Sequence, residues 1–287
     1  MLHASVAEFI RAEPQALAKG PIAIVFIEDD AAVARTLDHC LTSGFRVVLA
    51  FSARGPEAAE EDNPNIHWIK WAKTAEAAMS SAVNAVIAAA PGQWIHYCYN
   101  AEFLMFPFCE SRSVAEMIAF NVEERRDTVL TYVIDLYASD LHRHPDAVDL
   151  DGAFMDRSGY YALARTDRWN NTLDRQMDFF GGLRWRFEEH VPKPRRRIDR
   201  VSIFKAKKGL LLSEDHTFND AEYNTYACPW HHNLTAAVCS FRTAKALKRN
   251  PGSTYAIDTF RWHNSVPFEW KSEQLMNLGL MEPGQWF

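Results

Sequence analysis

Short apolar runs rich in β-branched residues alternate with helical segments through the first hundred residues. The run from Pro21 to Ile27 stops at acidic residues, as a buried parallel strand stops at a functional edge. Apolar residues at helical spacing follow from Ala31 to Thr42, and a second strand is predicted from Arg46 to Phe51. Strand, helix and strand in this order form a βαβ unit with parallel strands. Further predicted elements are a strand from Ile66 to Trp71, a helix from Thr74 to Ala90, a strand from Gln93 to Cys98 and a β-prone run from Thr128 to Tyr137.

This alternation predicts an α/β fold in which a central, mostly parallel sheet is flanked by helices. Ligands of such sheets bind at the carboxyl ends of the strands. The chain has 287 residues and is 48% hydrophobic, so it can bury one full core. We therefore expect a single domain over residues 1–287.

Composition excludes several classes of partner. A formal net charge of −6 gives no general attraction to nucleic acid, so no nucleic-acid partner is expected. The five cysteines are odd in number and contain no C-x-x-C pair, which indicates neither a disulfide framework nor a zinc ribbon. The sequence has no secretory signal pattern, and no apolar run reaches the roughly 18 residues of a membrane span. We expect no membrane span and a cytoplasmic location.

The most distinctive segment runs from Trp94 to Leu104, where a β-prone strand meets a polar break and then Glu-Phe-Leu. Together with Gly181-Gly182-Leu183-Arg184 further on, it is similar to family 2 glycosyltransferases, in the branch that carries Asp-x-Asp-Glu-Phe-Leu and a later Gly-Gly-x-Arg. The similarity covers most of the chain. It implies a GT-A fold, related to the Rossmann fold, with a nucleotide-binding half at about residues 20–110 and an acceptor-side half at about residues 111–287. It also implies a nucleotide-sugar donor and a carbohydrate or glycoconjugate acceptor.

The chain departs from this family at the metal site. In the family, the two aspartates hold a divalent cation on the diphosphate of the donor. Here Tyr99 and Ala101 stand at those positions, and Ser240 stands where the branch usually has a histidine. The usual ligands are therefore absent, and we expect no resident cofactor, although a divalent cation bound in another way stays open.

Three alternatives remain for how a chain without these metal ligands works. Arginines such as Arg184, Arg186 or Arg242 take the place of the cation, because guanidinium groups bind phosphate oxygens in bidentate fashion. Alternatively, Glu102 holds a cation together with one of the histidines at positions 231–232. In the third alternative, the protein is a catalytically inactive relative that acts as a nucleotide- or sugar-binding module.

Acidic residues follow the first predicted strand. A carboxylate at this edge can accept hydrogen bonds from a base N–H or a ribose hydroxyl, and the alternative is a capping cluster for the next helix. The predicted donor-binding residues are Glu28, Asp29, Asp30, Ser52, Tyr99, Asn100, Arg184 and Arg242.

An inverting transfer needs a base that takes the proton of the acceptor hydroxyl. Asp215 lies in a Glu-Asp-His segment where inverting members carry such a base, and it is predicted to be catalytic; a solvated loop is the alternative. Glu102 is the second catalytic candidate, with a helix-terminal carboxylate or an arginine partner as the alternative. His216 and Trp185 are predicted to contact the acceptor.

A basic stretch runs from Lys193 to Arg200. In an acidic protein such a stretch is usually a solvated loop, or a lip that faces phosphate. We therefore expect either a solvated loop or a phosphate-facing lip at these residues.

Overall fold

The computed structural model describes residues 2–56, 63–71, 78–229 and 231–286. The first ten elements are β1 (Leu2–His3), α1 (Val6–Ala12), β2 (Ile22–Ile27), α2 (Val33–Thr42), β3 (Val47–Ser52), β4 (Ile66–Lys70), α3 (Ala78–Ala89), β5 (Trp94–Tyr99), β6 (Glu102–Met105) and α4 (Val114–Glu123). The next ten are β7 (Thr128–Ala138), β8 (Ala153–Asp156), β9 (Tyr161–Thr166), β10 (Thr172–Phe180), α5 (Gly182–Arg186), β11 (Asp199–Lys205), β12 (Ala236–Ser240), α6 (Arg242–Arg249), β13 (Ser265–Pro267) and α7 (Ser272–Asn277).

The chain divides into two compact units, and unit 1 comprises residues 1–100, 111–129 and 201–224. Its strands have the order β1-β4-β3-β2-β5-β11. The first five strands of this order run parallel to their neighbours, and β11 is antiparallel to β5. Strands β3 and β5 are buried along their whole length, and β2 along all but its last residue. Burial on both faces is typical of a parallel sheet that helices cover.

The predicted βαβ unit is confirmed as β2, α2 and β3. Helix α2 packs against both strands and buries Leu37 and Cys40. It ends before Gly44, whose φ of 103° lies in the left-handed region that favours glycine after a helix. The predicted strands at 66–71, 93–98 and 128–137 are also present, as β4, β5 and β7. The first residues of the predicted helix 74–90 lie outside the described part of the chain, and the rest forms α3.

Unit 2 comprises residues 101–110, 130–200 and 225–287. In it, β12 pairs antiparallel with β6 and parallel with β7, and β8 pairs antiparallel with β7 and β13. Strands β9 and β10 form a separate antiparallel pair. The adjacent core packs α5 and α6 side chains on β7 through Tyr137, Leu183 and Leu247, with Phe260 from a later loop.

The α/β class and the largely parallel sheet with packed helices are therefore confirmed. Within the described ranges, no helix has the length and apolar character that crossing a bilayer requires. The expectation of one domain with halves that meet near residue 110 stays a prediction.

Candidate functional site

A cavity of about 390 Å³ lies at the carboxyl ends of β2 and β3 in unit 1. Ile27 and Ser52 are paired in register, so these two parallel strands end at the same level. Ser52 and Asp30, both predicted to bind the donor, line the cavity together with Arg54 and Trp68. The cavity thus lies where open α/β sheets bind their ligands.

A larger cavity of about 490 Å³ lies near the amino-terminal ends of strands in the same unit. Its lining includes Arg46 and Asn65, which immediately precede β3 and β4, and none of the predicted site residues. Because ligands bind at the carboxyl edge of such sheets, we take the smaller cavity as the candidate site.

Asp30 carries an ion pair at the mouth of this cavity. Arg54 Nη1 donates to both carboxylate oxygens of Asp30 at 3.1 Å. The two side chains are 81% and 73% exposed, and exposed ion pairs contribute little to stability. The Asp30 carboxylate is therefore available to exchange this partner for a ligand.

Asn100 ties the end of β5 to the acidic loop that follows β2. Its Oδ1 accepts the N–H of Glu28 at 2.9 Å, and its Nδ2 donates to the carbonyl of Asp29 at 3.0 Å and to that of Ala31 at 2.8 Å. The Asp29 carboxylate accepts from Asn100 Nδ2 and from the Ala31 N–H. Asn100 and Asp29 thus shape the loop that carries Asp30. Their predicted contact with the donor stays a prediction.

Tyr99 is 5% exposed in β5, and its ring lies 5.7 Å from that of Phe26 in β2. The aromatic contact explains why a tyrosine fits this buried strand end. No carboxylate stands at this position, as the sequence indicated.

In unit 2, the Glu102 carboxylate is held by Arg200. Arg200 Nη2 donates to Glu102 Oε2 at 2.7 Å, and the hydroxyl of Ser240 donates to Oε1 at 3.0 Å. The side chains of Arg200 and Glu102 are 4% and 1% exposed. Of the two structural alternatives for Glu102, the structure thus supports an arginine partner. Arg200 lies buried in β11 and not in a solvated loop.

Strand register brings a second buried carboxylate to this place. Ser240 in β12 pairs with Glu102 in β6 on one side and with Asp135 in β7 on the other. Asp135 is 1% exposed and accepts the N–H of Leu183 at 2.9 Å. Burial raises the pKa of Asp135 above its usual value, although the Arg184 guanidinium favours the charged form. Sequence reasoning missed Asp135 and Arg200, because only the strand order reveals that they are neighbours of Glu102.

Arg184 belongs to the same cluster. Its Nε lies 3.9 Å from Asp135 Oδ1 and donates to the Thr243 hydroxyl at 3.1 Å. Burial lowers the pKa of Arg184; Asp135 opposes this shift, whereas Arg242 and Arg200 add to it. Arg184 is therefore within electrostatic range of two further guanidinium groups and of the carboxylates of Asp135 and Glu102. Such a group of positive charges is suited to a phosphate oxyanion.

The predicted base lies on the surface of unit 1. Asp215 is exposed, and its Oδ1 accepts the N–H of Thr217 at 3.1 Å and the Thr217 hydroxyl at 2.6 Å. His216 is half-buried with a φ of 65°, and its Nδ1 lies 3.0 Å from the hydroxyl of Tyr97 in β5. His216 therefore packs on the sheet while Asp215 faces solvent.

Trp185 on α5 is 41% exposed and lies edge-on to Trp262, with 6.4 Å between the ring centroids. Arg186, the next residue, binds the buried carboxylate of Asp156 at 3.1 Å. Trp185 is thus accessible to a ligand, while Arg186 is committed to the core of unit 2.

The described residues contain no group of three or more His, Cys, Asp or Glu side chains that is arranged to hold a metal ion. Comparison of the chain with protein-family models gives no match, and comparison with curated proteins gives none either.

Proposed function

We propose that this chain is a glycosyltransferase of GT-A type that transfers a sugar from a nucleotide-sugar donor to a carbohydrate or glycoconjugate acceptor without a carboxylate-bound metal. The observation that carries the proposal is the buried ion pair between Arg200 and Glu102, with Arg184 and Arg242 close by. The Arg200 guanidinium is bound to Glu102, which is the one acidic residue of the Tyr-Asn-Ala-Glu-Phe-Leu segment.

The chemistry requires positive charge at the leaving group. A departing nucleoside diphosphate gains negative charge in the transition state, and preorganised cationic donors stabilise it. Arg242 is half-buried, and its backbone N–H is fixed by Ser240 at 3.1 Å. We infer that Arg242 contacts the diphosphate. The buried Arg184 and Arg200 position the cluster and raise its potential.

Unit 1, taken by itself, has a cavity whose polar groups fit a nucleoside. Asp30 offers an acceptor at its mouth, and Ser52 offers a hydroxyl at the end of β3. These groups complement a ribose or a base, both of which carry donors and acceptors.

A second candidate function is a nucleotide- or sugar-binding module without turnover. The engagement of both predicted catalytic carboxylates favours it: Glu102 is bound by Arg200, and Asp215 is bound by Thr217. In this case the binding groups are retained, and neither of these two carboxylates acts as a base.

Turnover separates the two functions. We expect release of UDP or GDP from hexose donors when a mixed polysaccharide acceptor is added, at the same rate in EDTA and in Mn²⁺. Asp215→Asn is expected to lower kcat by about 10²-fold to 10⁴-fold, the usual contribution of a general base. Glu214→Gln, the exposed neighbour, serves as the control and should retain the rate. Binding of the nucleotide without release under any of these conditions supports the binding module.

A further inference from the structure

The larger cavity of unit 1, with a volume of about 490 Å³, has two positively charged side chains in its lining. It lies at the amino-terminal ends of strands: Arg46 and Asn65 directly precede β3 and β4, and Leu41 belongs to the last turn of α2. A volume of this size is typical of small-molecule sites. Sheets of this kind usually bind ligands at their other edge, so the occupant of this cavity has to be inferred from its lining alone.

The two positive side chains are Lys19 and Arg46, and their charges have no partner in the described part of the protein. Both side chains are exposed, and neither charged group forms an ion pair or a hydrogen bond with another described residue. The described lining contains no acidic residue, although the whole chain has a formal net charge of −6. The cavity is therefore a locally positive place on an acidic protein, which favours an anionic ligand.

The charge of the lining favours a phosphate over a carboxylate. A phosphate monoester carries about 1.5 to 2 negative charges at neutral pH, whereas a carboxylate carries about one. Two cations thus match a phosphate monoester. The Arg46 guanidinium can donate to two phosphate oxygens at once, and the Lys19 ammonium adds a point charge.

The uncharged part of the lining is suited to a sugar. Asn63 Oδ1 accepts the N–H of Asn65 at 3.0 Å, so the NH₂ group of Asn63 stays available as a donor. The exposed amide of Asn65 offers both a donor and an acceptor. Sugar hydroxyls need such partners, and the half-buried Leu41 offers an apolar surface to the C–H face of a ring.

We propose that this cavity is a second ligand site, which binds a sugar that carries a phosphate monoester. Arg46 and Lys19 hold the phosphate, and Asn63 and Asn65 hydrogen-bond to the sugar hydroxyls. The site is distinct from the cavity at the carboxyl ends of β2 and β3, since the two described linings share no residue. It does not depend on the proposed function.

The probe is glucose 6-phosphate, whose binding to the full chain is measured by calorimetric titration at concentrations up to about 10 mM. Glucose and glucuronate are the matched ligands without a phosphate. We expect glucose 6-phosphate to bind about tenfold more tightly than either of them, because hydrogen bonds to a charged group contribute more than those between neutral groups.

A lysine footprint locates the bound ligand. Acylation by an N-hydroxysuccinimide ester, followed by mass spectrometry, measures the rate at which each lysine reacts. Glucose 6-phosphate should slow the acylation of Lys19 and leave that of Lys208 unchanged. Lys208 is the matched control, because it is also an exposed lysine of unit 1 and is not part of the described lining.

Arg46→Gln removes one cation at an exposed position and should raise the dissociation constant of glucose 6-phosphate about tenfold. Arg125→Gln, at another exposed arginine of unit 1 outside the described lining, should leave this constant unchanged. Asn65→Ala should raise it about fivefold through loss of one neutral hydrogen bond, and should not affect the binding of inorganic phosphate.

Each part of the proposal has an outcome that overturns it. No binding of glucose 6-phosphate, or binding that neither protects Lys19 nor depends on Arg46, overturns the site. Equal affinity for glucuronate overturns the selection of phosphate, and equal affinity for inorganic phosphate overturns the role of the two asparagines. Binding of UDP or GDP is a separate result, since its absence overturns the proposed function and leaves this site intact.

Discussion

At the scale of single residues, the Arg200–Glu102 pair decides how the cluster in unit 2 is held together. Removing one partner of a buried pair leaves an uncompensated charge, so Arg200→Met should lower the free energy of unfolding by about 3–5 kcal/mol. The double variant Arg200→Met/Glu102→Gln should lose less than the sum of the single variants, because the two sites are coupled. Urea unfolding of the wild type, Arg200→Met, Glu102→Gln and the double variant measures this coupling.

The exposed ion pair Arg54–Asp30 is the control for these unfolding measurements. Arg54→Met should change the free energy of unfolding by no more than about 1 kcal/mol. If Arg200→Met unfolds at the same urea concentration as Arg54→Met, Arg200 is not the partner that holds Glu102.

Asp135 makes stability depend on pH in a defined direction. Burial raises its folded pKa above the usual 3.8, so the folded protein binds this proton more tightly than the unfolded chain does. The contribution of Asp135 to stability is thus largest below pH 3.8 and declines as the pH rises through the folded pKa. Asp135→Asn removes this dependence.

The measurement is the difference in free energy of unfolding between the wild type and Asp135→Asn, followed by urea unfolding from acidic to neutral pH. We expect the variant to become more stable relative to the wild type as the pH increases, and the difference to become constant above the folded pKa of Asp135. A difference that moves in favour of the wild type would mean that the folded pKa of Asp135 is depressed.

At the scale of secondary structure, the Gly-Gly turn positions α5. A Cβ on Gly182 would lie 2.8 Å from Asp135 Oδ2, and its φ of 61° is unfavourable for other residues. Gly182→Ala should therefore lower the free energy of unfolding by about 3 kcal/mol, from backbone strain and overpacking together. Thermal or urea unfolding measures the loss.

Gly209 isolates the backbone contribution, because its φ is 78° and a Cβ there would meet nothing within 4 Å. Gly209→Ala should lower the free energy of unfolding by only about 1 kcal/mol. Equal losses in the two alanine variants would show that contact with Asp135 does not require glycine at position 182.

The strands and helices of unit 1 follow from local patterns, whereas the cluster in unit 2 does not. The buried run of β2 and the periodicity of α2 are encoded within a few residues, so their types and bounds were predictable. Arg200 is 98 residues from its partner Glu102, and its basic neighbours indicate a solvated loop. Its burial depends on strand pairing, for which the sequence carries no local signal.

The residues that line the cavity were predictable only in part, again because some of them carry a local signal and others do not. Asp30 and Ser52 lie at strand ends, and the rule that ligands bind at the carboxyl edge identifies them. Trp68 lies within a strand, where an aromatic residue is ordinarily part of the core. Its place in the lining depends on the pairing of β4 with β3, which no local pattern indicates.

At the scale of the whole molecule, each compact unit has its own set of candidate groups. Unit 1 has the cavity with Asp30 and Ser52, and unit 2 has the buried pair of Arg200 and Glu102. The function requires that a nucleoside diphosphate binds this chain and that arginine side chains, rather than a divalent cation, neutralise its charge.

The most direct measurement is a calorimetric titration of the full chain with UDP and with GDP, each in EDTA and in Mn²⁺. We predict that at least one of the nucleotides binds, and that its two dissociation constants agree within about twofold, a difference of about 0.4 kcal/mol. Binding that occurs only in Mn²⁺, or no binding of either nucleotide, would contradict a site that works without a metal.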